Sequence, residues 1–127
     1  MKKLSIFAAL VLSITVCLTG RVCEAKDVWV AHWEDEQVDV YVMDDTLAGN
    51  VSENGRSFHL STKNVRDDGR IDRIFWRFSK RKTDIWRYET SRMHCGPTTP
   101  VSPDNPVFTF CMNALQWPYT VGESGCY

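Results

Sequence analysis

Several chemistries have no footing in this sequence. It contains no Cys-x-x-Cys and no His-x-x-x-His, and its three histidines, His32, His59 and His94, are scattered. A zinc site needs clustered donors, so no metal is expected. No Gly-rich phosphate loop and no Gly-x-Ser-x-Gly elbow is present, which removes the motif grounds for phosphate chemistry and for that type of serine nucleophile. Beyond residue 25 no apolar run approaches the roughly 20 residues a spanning helix requires. There is no internal repeat and no low-complexity tract. The net charge is −1, from 15 basic and 16 acidic side chains, so no overall excess points to nucleic acid. Nothing in the sequence argues for catalysis, and neither an enzyme activity nor a cofactor is expected.

What is present begins at the N-terminus. Lys2 and Lys3 precede an apolar run from Ile6 through Leu18, and Cys23-Glu24-Ala25 places small side chains three and one positions before a cut. A basic start, a short apolar middle and a small-residue exit define a secretory signal peptide over residues 1–25. The mature chain is then expected to start at Lys26 and to work in the periplasm, at the cell surface or outside the cell. The Met-Lys-Lys start fits bacterial export. Val16 before Cys17 and Val22 before Cys23 are too large for a lipidation site.

Residues 26–127 make one domain of ordinary size, large enough for a modest core. Aromatic residues are plentiful, including Trp29, Trp33, Trp76, Trp86 and Trp117, which excludes a purely disordered stalk. Charge is unevenly placed. Lys26 to Thr62 is acidic and Lys63 to Arg92 is basic. The simpler reading is that acidic and basic strands pair across a sheet. The sharper one is a cationic surface for an acidic polymer.

The periodicity is that of an antiparallel sheet. Val28 to Trp33 is an apolar run suited to a buried strand, and Val38, Val40 and Val42 alternate with Asp39, Tyr41 and Met43. The stretch from Asp44 to Gly55 reads as a loop, with Gly49-Asn50 and Asn54-Gly55 as breakers. Phe58, Leu60 and Thr62 share one face of the next strand. Asp68-Gly69 then gives a hairpin turn. On the following strand Ile74, Trp76 and Phe78 take one face and Ile71, Arg73, Phe75 and Arg77 the other. Trp86 and Tyr88 share a face of a last strand over Asp84 to Thr90. Gly96 to Pro103 is too proline-rich to continue a ladder. Asn105 is a good N-cap with Pro106 at the first helical position, and Phe108, Cys111, Met112 and Leu115 fall at helical spacing. Tyr119 to Tyr127 reads as an irregular tail. The fold class is therefore α+β: an antiparallel meander of about five strands with one C-terminal helix packed on a face.

Three cysteines survive removal of the leader. A Cys95–Cys126 bridge is favoured because it fixes both ends of the connecting segment; Cys95–Cys111 would instead pin the helix to the sheet, and an odd thiol can join two chains. His94-Cys95 sets an imidazole beside a thiol, but adjacent side chains usually point apart and no orienting third group is evident. Asp67 to Asp72 lacks the alternating ligands and closing glutamate of a calcium loop, and a turn explains it better.

The pattern most compatible with recognition is Arg73, Phe75 and Arg77 on one strand face, near Arg87 on the next strand. Cationic groups beside an aromatic ring suit anionic or sugar-like ligands. The alternative is that the arginine stems merely cover Phe75.

With Val28-Trp29-Val30, Val38 to Thr46 and the cysteine-bearing helix at Cys111, the chain resembles the small secreted bacterial domains called surface-adhesin protein E-like. The likeness covers most of Lys26 to Leu115, although Cys95 lies later than that family's strand cysteine. It implies a sheet with a C-terminal helix, a surface or periplasmic role and, in some members, adhesion to host matrix. The expectation is a secreted, non-catalytic binding or surface-interaction protein whose partner is an envelope protein, a host-surface protein or an anionic glycan. The alternative is an envelope protein acting through protein–protein contacts at an exposed sheet edge.

Overall fold

The structure, a computed structural model, describes residues 26–93 and 96–127. The expected leader, His94 and Cys95 lie outside the described residues, and with them the His94-Cys95 pair and one end of the favoured bridge. Six strands form an antiparallel meander in sequence order: β1 (Asp27–Trp33), β2 (Val38–Ser52), β3 (Gly55–Arg66), β4 (Ile71–Arg81), β5 (Arg87–Thr90) and β6 (Thr99–Pro100). Helix α1 (Pro106–Leu115) follows, then a small hairpin of β7 (Val121–Gly122) and β8 (Gly125–Cys126). No helix among the described residues is long and apolar enough to cross a membrane.

Strand alternation decides which face is buried. Val38, Val40, Val42, Phe58, Leu60, Ile74, Trp76 and Phe78 point to one side and are closed from solvent. Helix α1 lies over them with Val107, Phe108, Cys111 and Met112. Phe108 is the hub of this contact: its ring is 5.7 Å from those of Phe78 and Trp86 and 5.1 Å from that of Tyr119. The helix starts where the sequence places it. Asn105 Oδ1 accepts from the backbone N–H of Val107 at 3.0 Å and of Phe108 at 3.1 Å, which satisfies two donors that a helix start leaves open. It ends at Gln116 in the left-handed conformation (φ 57°), one residue before Trp117-Pro118. The Asp-Gly turn also forms, with Gly69 at φ 87°.

Four expectations need correction. The stretch from Asp44 to Gly55 is not a loop, because β2 runs through to Ser52 with an irregularity between Met43 and Ala48. Thr46 explains how the strand survives it: its hydroxyl donates to Met43 O at 2.6 Å and accepts from the Ser61 N–H at 2.8 Å, so it stands in for ladder bonds that the irregularity removes. Gly49 is a packing residue rather than a breaker, since a Cβ there would meet the Trp117 ring at 3.0 Å.

The sheet has six strands rather than about five. Thr99–Pro100 pairs with β5 despite its proline, because an edge strand needs donors on one side only. The C-terminal tail is ordered: Thr120 and Tyr127 exchange backbone bonds of 3.0 and 2.8 Å, and Trp86 N donates to Cys126 O at 2.8 Å. Cys126 is fully buried as a result, and it is not bonded to the equally buried Cys111. Finally, β1 is an edge strand and only partly buried, with Trp29 54% exposed.

Candidate functional site

The face of the sheet opposite α1 carries the polar alternates of every strand. On β4 these are Arg73, Phe75 and Arg77, all exposed, in one row along the strand. Phe75 keeps 46% of its surface open, which argues against its being covered by the arginine stems. Register fixes the neighbours: Lys63, Ser61 and His59 on β3 stand opposite Arg73, Phe75 and Arg77, and Glu89 on β5 also faces Arg77. The His59 and Phe75 rings are 5.8 Å apart. Tyr41 and Trp29 continue the Arg73–Lys63 row across β2 and β1, giving a band of two cationic side chains followed by two aromatic ones.

Arg87 lies on the same face but one row away, opposite Ser79. Its Nε is 3.7 Å from Asp84 Oδ2, and one of its terminal nitrogens donates to Thr98 O at 3.5 Å. The structure therefore brings Arg73, Phe75 and Arg77 together and ties Arg87 to its own loop. Arg73 and Arg77 enter no ion pair among the described residues. Other charges do pair across the sheet as the uneven sequence suggests, with Lys63 Nζ 2.7 Å from Asp27 and Arg92 bridging Glu36 at 3.5 Å and Asp72 at 3.3 Å.

At the β1–β2 end, Asp39 Oδ1 accepts from the Trp29 indole at 3.1 Å and lies 3.0 Å from His32 Nδ1. These two bonds, the Trp29 one foremost, hold the Asp39 carboxyl below its usual range. A His–Asp pair orients an imidazole. Catalysis needs a nucleophile or substrate proton within its reach as well, and no described serine or cysteine hydrogen-bonds to His32. Among the described residues no group of three potential metal ligands forms.

The sequence reading missed a second feature. Where β3 and β4 reach the β2–β3 turn, a cleft of about 390 Å³ opens on the α1 side of the sheet, and its lining includes Arg56, Lys80, Arg81 and Lys82. The signal was available as the run Lys80-Arg81-Lys82, but Arg56 joins it only through strand register. Trp117, expected merely to end the helix, lies under Arg56, whose guanidinium carbon is 5.5 Å from the ring centroid.

No protein-family model, curated protein or solved structure matches this chain.

Proposed function

We propose that the protein is an exported bacterial recognition domain, non-catalytic, that binds an anionic glycan or an acidic surface protein through the open β4 face. The observation that carries this reading is the row Arg73–Phe75–Arg77: two guanidinium groups without ion-pair partners among the described residues flank a half-open phenyl ring on a central strand. Guanidinium groups offer paired donors to sulfate, phosphate or carboxylate, and the ring offers an apolar face to a sugar. The strand fixes the backbone positions of these groups, so binding has only their side chains to order. The resemblance to surface-adhesin protein E-like domains points the same way and rests on the residues quoted for it.

Retention on immobilised heparin tests this. Replacing Arg73 and Arg77 together with serine should lower the salt concentration needed for elution while the circular dichroism spectrum stays unchanged; equal retention of the double variant rejects the β4 face. Export is tested separately, since the native protein should begin at Lys26, and recovery of Met1 overturns it.

The alternative, partner binding through an exposed sheet edge, has less behind it. The β1 edge shifts register between Trp29 and Ala31, and the β6 edge is two residues long with a proline, features that discourage strand addition. Salt-insensitive co-purification with an envelope protein would restore it.

A further inference from the structure

We propose a second binding site, separate from the β4 face: the cleft beside the β2–β3 turn takes a small ligand bearing a phosphate or sulfate group. The two sites lie on opposite faces of the sheet. Arg56 and Lys80 are paired in register and alternate with Phe58 and Phe78, so they fall on the helix side, whereas Arg73 and Arg77 point away from it.

Three observations carry the proposal. The first is charge: Arg56 and Lys80 face the cleft, Arg81 and Lys82 also contribute to its lining, Glu53 is the one carboxylate there, and none of the four cations enters an ion pair among the described residues. Like charges gathered in a concavity repel each other, and they concentrate and hold an anion that relieves the repulsion. The second is rigidity. Arg56 and Lys80 face each other on the β3–β4 ladder, Lys82 N donates to Asn54 O at 2.9 Å, and Arg56 rests on Trp117. The backbone positions of these cations are thus fixed, and the Arg56 guanidinium is held against Trp117 before a ligand arrives.

The third observation is shape. At about 390 Å³ the cleft falls within the range of small-molecule sites, ~300–1,000 Å³. Val51, the register partner of Arg56, together with Pro118 and Trp86, adds apolar lining beside the cations. A bare inorganic ion would use only the cations. A compact body carrying the oxyanion, such as a sugar phosphate or sugar sulfate, would use the apolar lining as well.

The test is an NMR titration of the full mature chain, following the indole N–H signals of Trp86 and Trp117. The probes are glucose 6-phosphate, glucose 6-sulfate, inorganic phosphate and glucose. Saturable shifts are expected with one or both of the charged sugars, at least tenfold tighter than with inorganic phosphate, and none with glucose; which charged sugar binds identifies the oxyanion. Lys80→Ser with Lys82→Ser should weaken binding at least tenfold, and Lys82→Ser alone, at an exposed turn position, should weaken it several-fold in a chain that folds normally. Arg73→Ser with Arg77→Ser should leave it unchanged, so this site and the β4 face succeed or fail independently. Absence of saturable shifts, equal affinity for inorganic phosphate, or undiminished binding in Lys82→Ser overturns the proposal.

Discussion

The indole N–H of Trp76 donates to Thr62 Oγ1 at 2.9 Å, inside a core that is otherwise apolar. Thr62 passes the bond on, donating its own hydroxyl proton to Asn64 Oδ1 at 3.1 Å, so three residues on two neighbouring strands form one buried polar chain. Removing its middle member strands both ends. Thr62→Val keeps the shape, deletes the hydroxyl, and leaves a buried indole donor and amide oxygen unpaired. The expected loss is about 1–3 kcal/mol, read as a lower urea midpoint with an unchanged slope. Thr62→Ser retains the hydroxyl and should cost less than Thr62→Val.

Helix docking makes a larger prediction. Phe108 is fully buried among Phe58, Phe78, Trp86 and Tyr119, and truncating it opens a cavity that rigid rings cannot refill. Phe108→Ala should destabilise the protein by roughly 3–5 kcal/mol. Leu115, half-buried at the last turn, should cost less when cut to alanine, and Asn105→Ala about 1 kcal/mol through loss of the cap. Chemical denaturation orders the three, and a Phe108→Ala loss below half a kcal/mol would show that α1 is not docked on the sheet.

The meander and the helix were legible because their signals are local. Period-two alternation in 38–43, 57–65 and 71–80, the Asp68-Gly69 turn and the Asn105-Pro106 start each act within a few residues. The continuation of β2 was not legible, because Asp44, Asp45, Gly49 and Asn50 all read as loop residues. What carries that strand across its irregularity is one hydroxyl, on Thr46, reaching Ser61 fifteen positions away, after which the ladder with β3 resumes from Ala48. The tail was misread for the same reason: its order depends on Trp86 donating to Cys126 O, a contact between distant segments. The row Arg73, Phe75 and Arg77 followed from alternation alone. The cleft did not, since only the pairing of β3 with β4 sets Arg56 beside Lys80.

Asp39 gives a pH prediction. The Trp29 and His32 bonds favour its charged form and lower its pKa from the ordinary 3.8. A carboxyl with a lowered folded pKa contributes stability above its unfolded value, and that contribution fades as pH falls through the folded value. The part of the Trp29 indole N–H titration that reports Asp39 should therefore have its midpoint below 3.8. In Asp39→Asn this acid shift should disappear. An acid shift that Asp39→Asn abolishes but whose midpoint lies at or above 3.8 contradicts the assigned bonds.

Cys111 sets the opposite limit, on the alkaline side. Burial among Phe108, Met112 and the sheet penalises a thiolate and pushes the Cys111 pKa from the ordinary 9.0 up to about 12. Below pH 9 the thiol is neutral folded or unfolded, and it leaves stability unaffected. Between pH 9 and 12 the unfolded chain releases a proton that the folded chain retains, so stability falls as pH rises, by about 1.4 kcal/mol per pH unit from this one group. Cys126, also raised by burial, would add to the same decline as a free thiol and would not in the Cys95–Cys126 bridge. Cys111→Ala should lower stability at pH 7 yet show a shallower loss from pH 9 to 12 than the parent chain. At pH 8 the Cys111 thiol should react with a disulfide reagent only as the protein unfolds, at a rate whose logarithm rises linearly with added denaturant. Prompt reaction of the folded protein at Cys111, located by peptide mapping, would mean that the thiol faces solvent and that α1 does not seal this side of the sheet.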